Sequence, residues 1–279
     1  MMSRRNLILL MHLMVGCGSP GQPPAPGSNV HRMLSDDRYE WTTIETAHTR
    51  IHVPSGSYAH AHQNILPERV EQSRRTVLSR LLEPDYRETL HLFYVDSRED
   101  MERLTGSPVT GFSYFSDNAV VLVYNEDWRP FERHELAHAV TLGTWESAAG
   151  PAVVEGLATY VEGVCGGYEN GRLTRTILDM GGVIPLETLS GDFRRQSDLV
   201  AYLQAASIVE FMLERRGPEV LDLLWTQGLV TSPALLETSP ESFQLEFERW
   251  LLSKYDAVPD HVWEAVRRRG CGIDARPAV

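Results

Sequence analysis

Apolar and polar positions alternate with two different periods along this chain, and the change of period divides it. Between Trp41 and Val53 apolar and polar residues alternate imperfectly, which predicts one or two half-buried strands ending at Pro54. Pro67 then opens a stretch in which Val70, Val77, Leu78 and Leu81 form one helical stripe, closed before Pro84. The run Thr89 to Val95 reads as an inner strand, and a short acidic helix from Arg98 to Leu104 stops at Gly106-Ser-Pro108. Gly111 to Tyr124 predicts two more strands around Ser116-Asp117-Asn118, with Ala119 to Tyr124 the strongest strand in the chain. Past Pro130 the texture becomes helical, with helices expected near 130–142, 152–162, 198–216, 218–227 and 240–254. The pattern therefore predicts an α+β fold: a mixed β-sheet with helices over residues 39–129, then a mainly α-helical part over residues 130–279.

The first 17 residues do not belong to that pattern. Arg4 and Arg5 precede a short apolar run from Leu7 to Val15, the layout of an export signal and too short for a membrane span of about 20 residues. Met14-Val-Gly-Cys17 resembles the lipobox of bacterial lipoproteins, and that resemblance implies cleavage before Cys17, lipidation of its thiol and anchoring to a membrane of the cell envelope; secretion without an anchor is the alternative. A Pro/Gly/Ser tract follows from Gly18 to Ser28, and residues 18–38 are expected to act as a flexible tether. Cys165 and Cys271 remain, in a compartment where disulfides persist; pairing and two buried free thiols are both compatible with the sequence.

Composition narrows the function classes. Hydrophobic residues at 42% and charged residues at 23% are ordinary globular usage, which excludes collagen-like, coiled-coil and fully disordered chains. The net charge of −12, or −14 once Arg4 and Arg5 are removed, disfavours nucleic acid as a partner and favours cationic over acidic substrates. No glycine cluster follows the strand, Gly-x-Gly-x-x-Gly, helix order of a phosphate loop.

The chemistry is carried by His134-Glu-Leu-Ala-His138, an HExxH sequence inside a predicted helix. The i, i+4 spacing stacks His134 and His138 on one helical face, where both can ligate one Zn²⁺, and Glu135 can reach the attacking water as general base without ligating. A catalytic zinc needs a third protein ligand. Glu155, seventeen residues after His138, lies on a second helix opened by Gly150-Pro151, which a short loop can fold back antiparallel onto the first.

HELAH followed by Glu155-Gly-Leu-Ala-Thr-Tyr160 resembles the gluzincin metallopeptidases, more narrowly the small peptidase MA-like group with its HExxH and EGLAxY signatures. The resemblance extends loosely over residues 40–255. It implies a zincin-like fold, one zinc per chain held by His134, His138 and Glu155, hydrolysis of peptide or protein substrates, and a sheet edge beside the cleft formed by the strand 119–124, open to strand addition. It also implies a tyrosine on a later helix as oxyanion donor, for which Tyr202 is the candidate; packing among Leu199, Leu203, Ala206 and Val209 is the competing role. Two positions depart from related enzymes. Thr159 stands where thermolysin-type enzymes place an Asp behind a ligand His, so support for that His is expected from elsewhere. Gly111-Phe-Ser-Tyr-Phe does not match the GxMEN segment of M1-type aminopeptidases, so exopeptidase action has no support.

Other conspicuous residues read as structural. Tyr160 is rotated roughly 140° from Glu155 on an ideal helix and faces away from the metal. His60 and His62 lie in a polar connector, Trp225, Trp250 and Trp263 in apolar helical patterns, and Arg267 to Arg269 at a helix C-terminus before Gly270. Two other function classes fit the same residues: a non-catalytic envelope lipoprotein of this fold, and a zinc hydrolase of a non-peptide amide.

Overall fold

The computed structural model describes residues 25–229 and 238–274. The expected signal segment, Cys17 and the start of the tether lie outside them. Residues Asn29–Leu34 (α1), Tyr58–Ala61 (α2), Leu66–Arg80 (α3) and Arg98–Thr105 (α4) are helical, and Trp41–Glu45 (β1), Thr49–Pro54 (β2), Leu90–Val95 (β3), Gly111–Tyr114 (β4) and Ala119–Val123 (β5) form one sheet. Glu132–Thr144 (α5) and Pro151–Glu162 (α6) come next, followed by the small ladder of Val164–Cys165 (β6) and Tyr168–Glu169 (β7). Asn170–Asp179 (α7), Leu186–Gly191 (α8), Asp198–Arg216 (α9), Val220–Gln227 (α10), Pro240–Lys254 (α11) and Asp260–Arg269 (α12) complete an α+β fold.

Strand order is β1-β2-β3-β5-β4; β2, β3 and β5 run parallel, and β1 and β4 are antiparallel to their neighbours. The apolar run of β5 is buried at every position, as a strand covered on both faces must be. Leu90, Leu92 and Tyr94 of β3 face α3 and α5, while Phe93 and Val95 face Val30 and Met33 of α1 and Met101 and Leu104 of α4. Alternation along one strand thus serves two cores.

The structure alters two expectations. By resemblance the strand 119–124 was to be the sheet edge, but β5 lies inside the sheet between β3 and β4, and β4 is the edge. Asn118, in the left-handed region at φ 49°, turns the chain back after Phe115–Asp117, so the wholly apolar strand goes inward and the half-buried Gly-Phe-Ser-Tyr strand stays outside. The expected tether to residue 38 also ends early. Ser28 caps α1 by accepting from the His31 N–H, the Asn29 side chain bonds Asp117, and Val30 and Met33 are buried. Three apolar residues in a six-residue helix leave too little periodicity to read. The pattern likewise predicts neither α7 nor α8.

In the helical part, α6 crosses α9 at Gly156, where a Cβ would stand 2.9 Å from that of Ala205. Gln204 on α9 holds both the N–H and the carbonyl of Ile184, and Thr174 on α7 hydrogen-bonds Ser207. Trp225 and Trp263 are buried and Trp250 packs at the core margin, as their apolar patterns predict. Cys165 and Cys271 form a disulfide with Cα atoms 4.3 Å apart, tying β6 to the segment after α12. That segment packs Gly272 against Trp128, and Arg129 N–H donates to the Gly272 carbonyl, just before α5 begins.

On the α1/α4 side of the sheet His52 and His91 pair at 3.0 Å, and His52 Nδ1 meets the Thr43 hydroxyl. Burial, with Arg50 nearby, pushes them down to about 3 and about 4. Both are neutral in the folded protein at pH 7, whereas the unfolded chain takes up their protons near pH 6.5, so stability falls as pH drops below that value. Histidine ¹⁵N spectra should show both rings neutral at about pH 5.5; a midpoint above 6 for either would refute the burial argument. Cleaving the disulfide, which spans a sequence separation of 106, should cost about 2–5 kcal/mol in urea unfolding, and an unchanged midpoint in reductant would contradict this.

Candidate metal centre

The HExxH helix is anchored at its first turn. Phe131 offers α5 no side-chain cap. Glu162, in the last turn of α6, accepts instead from the backbone N–H of His134 at 3.2 Å and from Arg133 at 3.0 Å. On the other side Glu132 accepts from Arg69 at 2.6 and 2.9 Å, from Ser73 at 3.1 Å and from the Tyr94 hydroxyl. Two buried carboxylates thus sit against the positive end of the helix dipole. Because Glu162 meets the start of α5 while Glu155 lies opposite His134 and His138, α6 runs antiparallel to α5.

That pairing brings the three expected ligands together. His134 Nε2 and His138 Nε2 are 3.0 Å apart, and each lies 3.3 Å from Glu155 Oε2. Donors at 2.0–2.1 Å from a tetrahedral ion stand about 3.3 Å from one another, so the triangle fits zinc with slight expansion, and two histidines plus a glutamate are a known catalytic-zinc set. The electrostatics agree. Burial opposes the Glu155 charge, yet hydrogen bonds from both histidines and their charge hold its carboxyl well below the usual range. Burial likewise opposes charge on His134, but the Glu155 hydrogen bond and the carboxylates of Glu135, Glu155 and Glu162 drive it upward. Such a surplus of negative charge favours a cation at this point. His134, His138 and Glu155 are the metal-capable group among the described residues.

Support behind the ligands is uneven. Thr159 Oγ1 stands 3.5 Å from His134 Nδ1, so the residue at the position where an Asp was missed is itself beside the ring it was expected to leave unsupported. His138 Nδ1 is buried without a partner among the described residues.

Glu135 turns away from the ligands by about 100° and lies against β4. Its carboxylate accepts from the Ser113 hydroxyl at 2.7 Å, and the same hydroxyl is 3.0 Å from the Glu135 carbonyl oxygen. A Cβ on residue 111 would be 2.3 Å from Glu135 Oε1, so any side chain there would displace the Glu135 carboxylate from this position. Sequence reasoning missed Gly111 and Ser113. The available signal was two small residues at i, i+2 on one face of a strand, legible only once β4 is known to be the edge beside α5.

Tyr202 reaches the site from α9. Its ring stacks at 16° on His134, 6.2 Å between centroids, and packs on Phe193. Burial and the neighbouring Glu155 carboxylate raise its hydroxyl above the ordinary tyrosine range. Tyr160 faces away under the Arg80 guanidinium. His62 packs on Tyr58 with the rings tilted by 34° and bonds its carbonyl, and neither it nor His60 joins a metal-capable group among the described residues. A cavity of about 590 Å³ behind the start of α5, lined by Arg69, Glu132, Arg133 and Glu162, holds none of the three ligands. No known family model matches the chain, and no curated protein does.

The close crossing at Gly156 is what delivers Tyr202. G156V should force α9 off α6 and cost about 1–3 kcal/mol in urea unfolding, and an unchanged stability would show that the crossing tolerates a side chain.

Proposed function

We propose that this chain is an exported zinc metallopeptidase of gluzincin type, anchored to the cell envelope through Cys17. The observation that carries the reading is the His134, His138, Glu155 triangle with Glu135 held, unligated, one residue along the same helix. Zinc bound there would supply Lewis-acid polarisation of a scissile carbonyl and acidify an attacking water. The remaining work falls to side chains of this protein. Glu135 takes the proton of the attacking water and delivers it to the departing amine. Tyr202, whose ring stacks on His134, donates its hydroxyl hydrogen in this reading to the carbonyl oxygen as negative charge develops there.

The substrate's main chain has a matching partner in β4. Val123 N–H donates to the Thr110 carbonyl, and antiparallel alternation then turns the peptide groups of Gly111 and Ser113 outward to the free edge. An extended peptide added there runs past Glu135, which favours a peptide over a compact amide as substrate. Among the described residues no helix is long and apolar enough to cross a membrane, so membrane attachment in this reading rests on Cys17.

Elemental analysis of the dialysed protein should find close to one zinc per chain in wild type and none in E155A. E135Q should keep its zinc and lose at least about 100-fold in turnover of a peptide library. Wild type without zinc at intact fold would overturn the reading, and full E135Q turnover would overturn the role of Glu135.

A further inference from the structure

The contact between β4 and Glu135 has more content than packing, and it goes beyond the function proposed above while resting on it. A glutamate on a helix has three rotatable side-chain bonds, and a general base misplaced by about 1 Å can lose on the order of 100-fold in rate. Here the carboxylate lies in a notch of the edge strand. Gly111 supplies the space, since a Cβ at that position would overlap Oε1 at 2.3 Å. Ser113, two residues on and on the same face, supplies the hydrogen bond, with its hydroxyl 2.7 Å from Oε2. The hydroxyl also lies 3.0 Å from the backbone oxygen of Glu135, so it sits between the residue's side chain and its main chain. Its single proton serves the nearer acceptor, the carboxylate, and so ties the side chain to the strand edge.

We propose that Ser113 is a positioning residue that holds the Glu135 carboxylate in its working orientation, with Gly111 shaping the seat. Ser113 does not touch the metal ligands; it acts through Glu135. The strand edge that would bind substrate and the group that would handle its protons are thereby set by the same two residues, so that the substrate backbone and the base keep a constant relation.

The test needs no knowledge of the natural substrate. Acetohydroxamate binds zinc as its anion, and the proton leaving its N–O–H group passes to the nearest base, so its affinity reports on Glu135. Titrated calorimetrically into the zinc-loaded full chain, it should bind S113A about 10-fold more weakly than wild type, because a base displaced from its seat no longer meets the leaving proton. Zinc content and thermal midpoint should be unchanged. S113T, which keeps the hydroxyl, should restore binding to within about threefold. In an E135Q background, S113A should change affinity by less than about twofold, because the group that Ser113 positions is no longer a base. Equal affinities for wild type and S113A, both loaded with zinc, would overturn the positioning role and leave the metal site standing. An equal loss in both backgrounds would show that Ser113 acts on the fold rather than through Glu135, and would also overturn it. Wild type unable to hold zinc would instead remove the proposed function, and this inference with it.

Discussion

The carboxylate of Glu162 on the first turn of α5 is the contact on which the rest of the site depends. A helix that starts without a side-chain cap leaves N–H groups unsatisfied, and in a buried setting each is costly. Glu162 satisfies the His134 N–H from the far end of α6, and it is paired with Arg133. One interaction therefore completes the helix and docks its neighbour. Since α6 is pinned at Glu162, Glu155 two turns earlier lies across from His134 and His138. Removing one partner of such a buried pair costs about 3–5 kcal/mol in other proteins, because the remaining charge stays buried. Glu132, held by Arg69, Ser73 and Tyr94, secures the opposite side of the same turn to α3 and β3.

From that fixed turn, two faces of α5 reach in different directions. His134 and His138 look toward α6, and Glu135 toward the sheet edge, so the candidate ligands and the candidate base are separated by about 100° of helix. Each direction is completed by a residue too small to interfere. Gly156 lets α9 approach α6 closely enough for Tyr202 to stack on His134, and Gly111 lets Glu135 sink against β4. Both glycines work through the Cβ they lack rather than through backbone freedom, as neither has a positive φ. The disulfide closes the arrangement from outside by holding the segment after α12 over Trp128, at the entry to α5.

Much of this was legible beforehand because it is local. HExxH and EGLAxY are written in consecutive residues, helical geometry alone puts His134 and His138 on one face, and the short loop after α5 leaves few ways to place Glu155. The apolar runs of β3 and β5 and the long stripes of α3, α6 and α9 carry enough periodicity to be read directly. The short helices α1, α2 and α8 carry too little, and their burial comes from contacts with residues distant in the chain. Strand order was the larger gap. The strongest strand was expected at the edge, yet hydrophobicity on every position marks a strand that needs cover on both faces, and β5 is therefore interior.

Ser113, Gly111 and Thr159 show where sequence reading stops. A serine in a four-residue strand and a threonine on a helix have no signature of their own, and their meaning comes from what stands opposite: Glu135 in one case, His134 in the other. Cys165 and Cys271 are similar, since pairing is decided by a 4.3 Å Cα separation that spacing in the chain does not contain. The sequence by itself determined the α+β class, the candidate ligands and the register of each within its own helix, because these follow from composition and short-range periodicity. Only the tertiary structure decided which strand is the edge, what seats the base, and which thiols meet, because those are distances between segments and arise from packing.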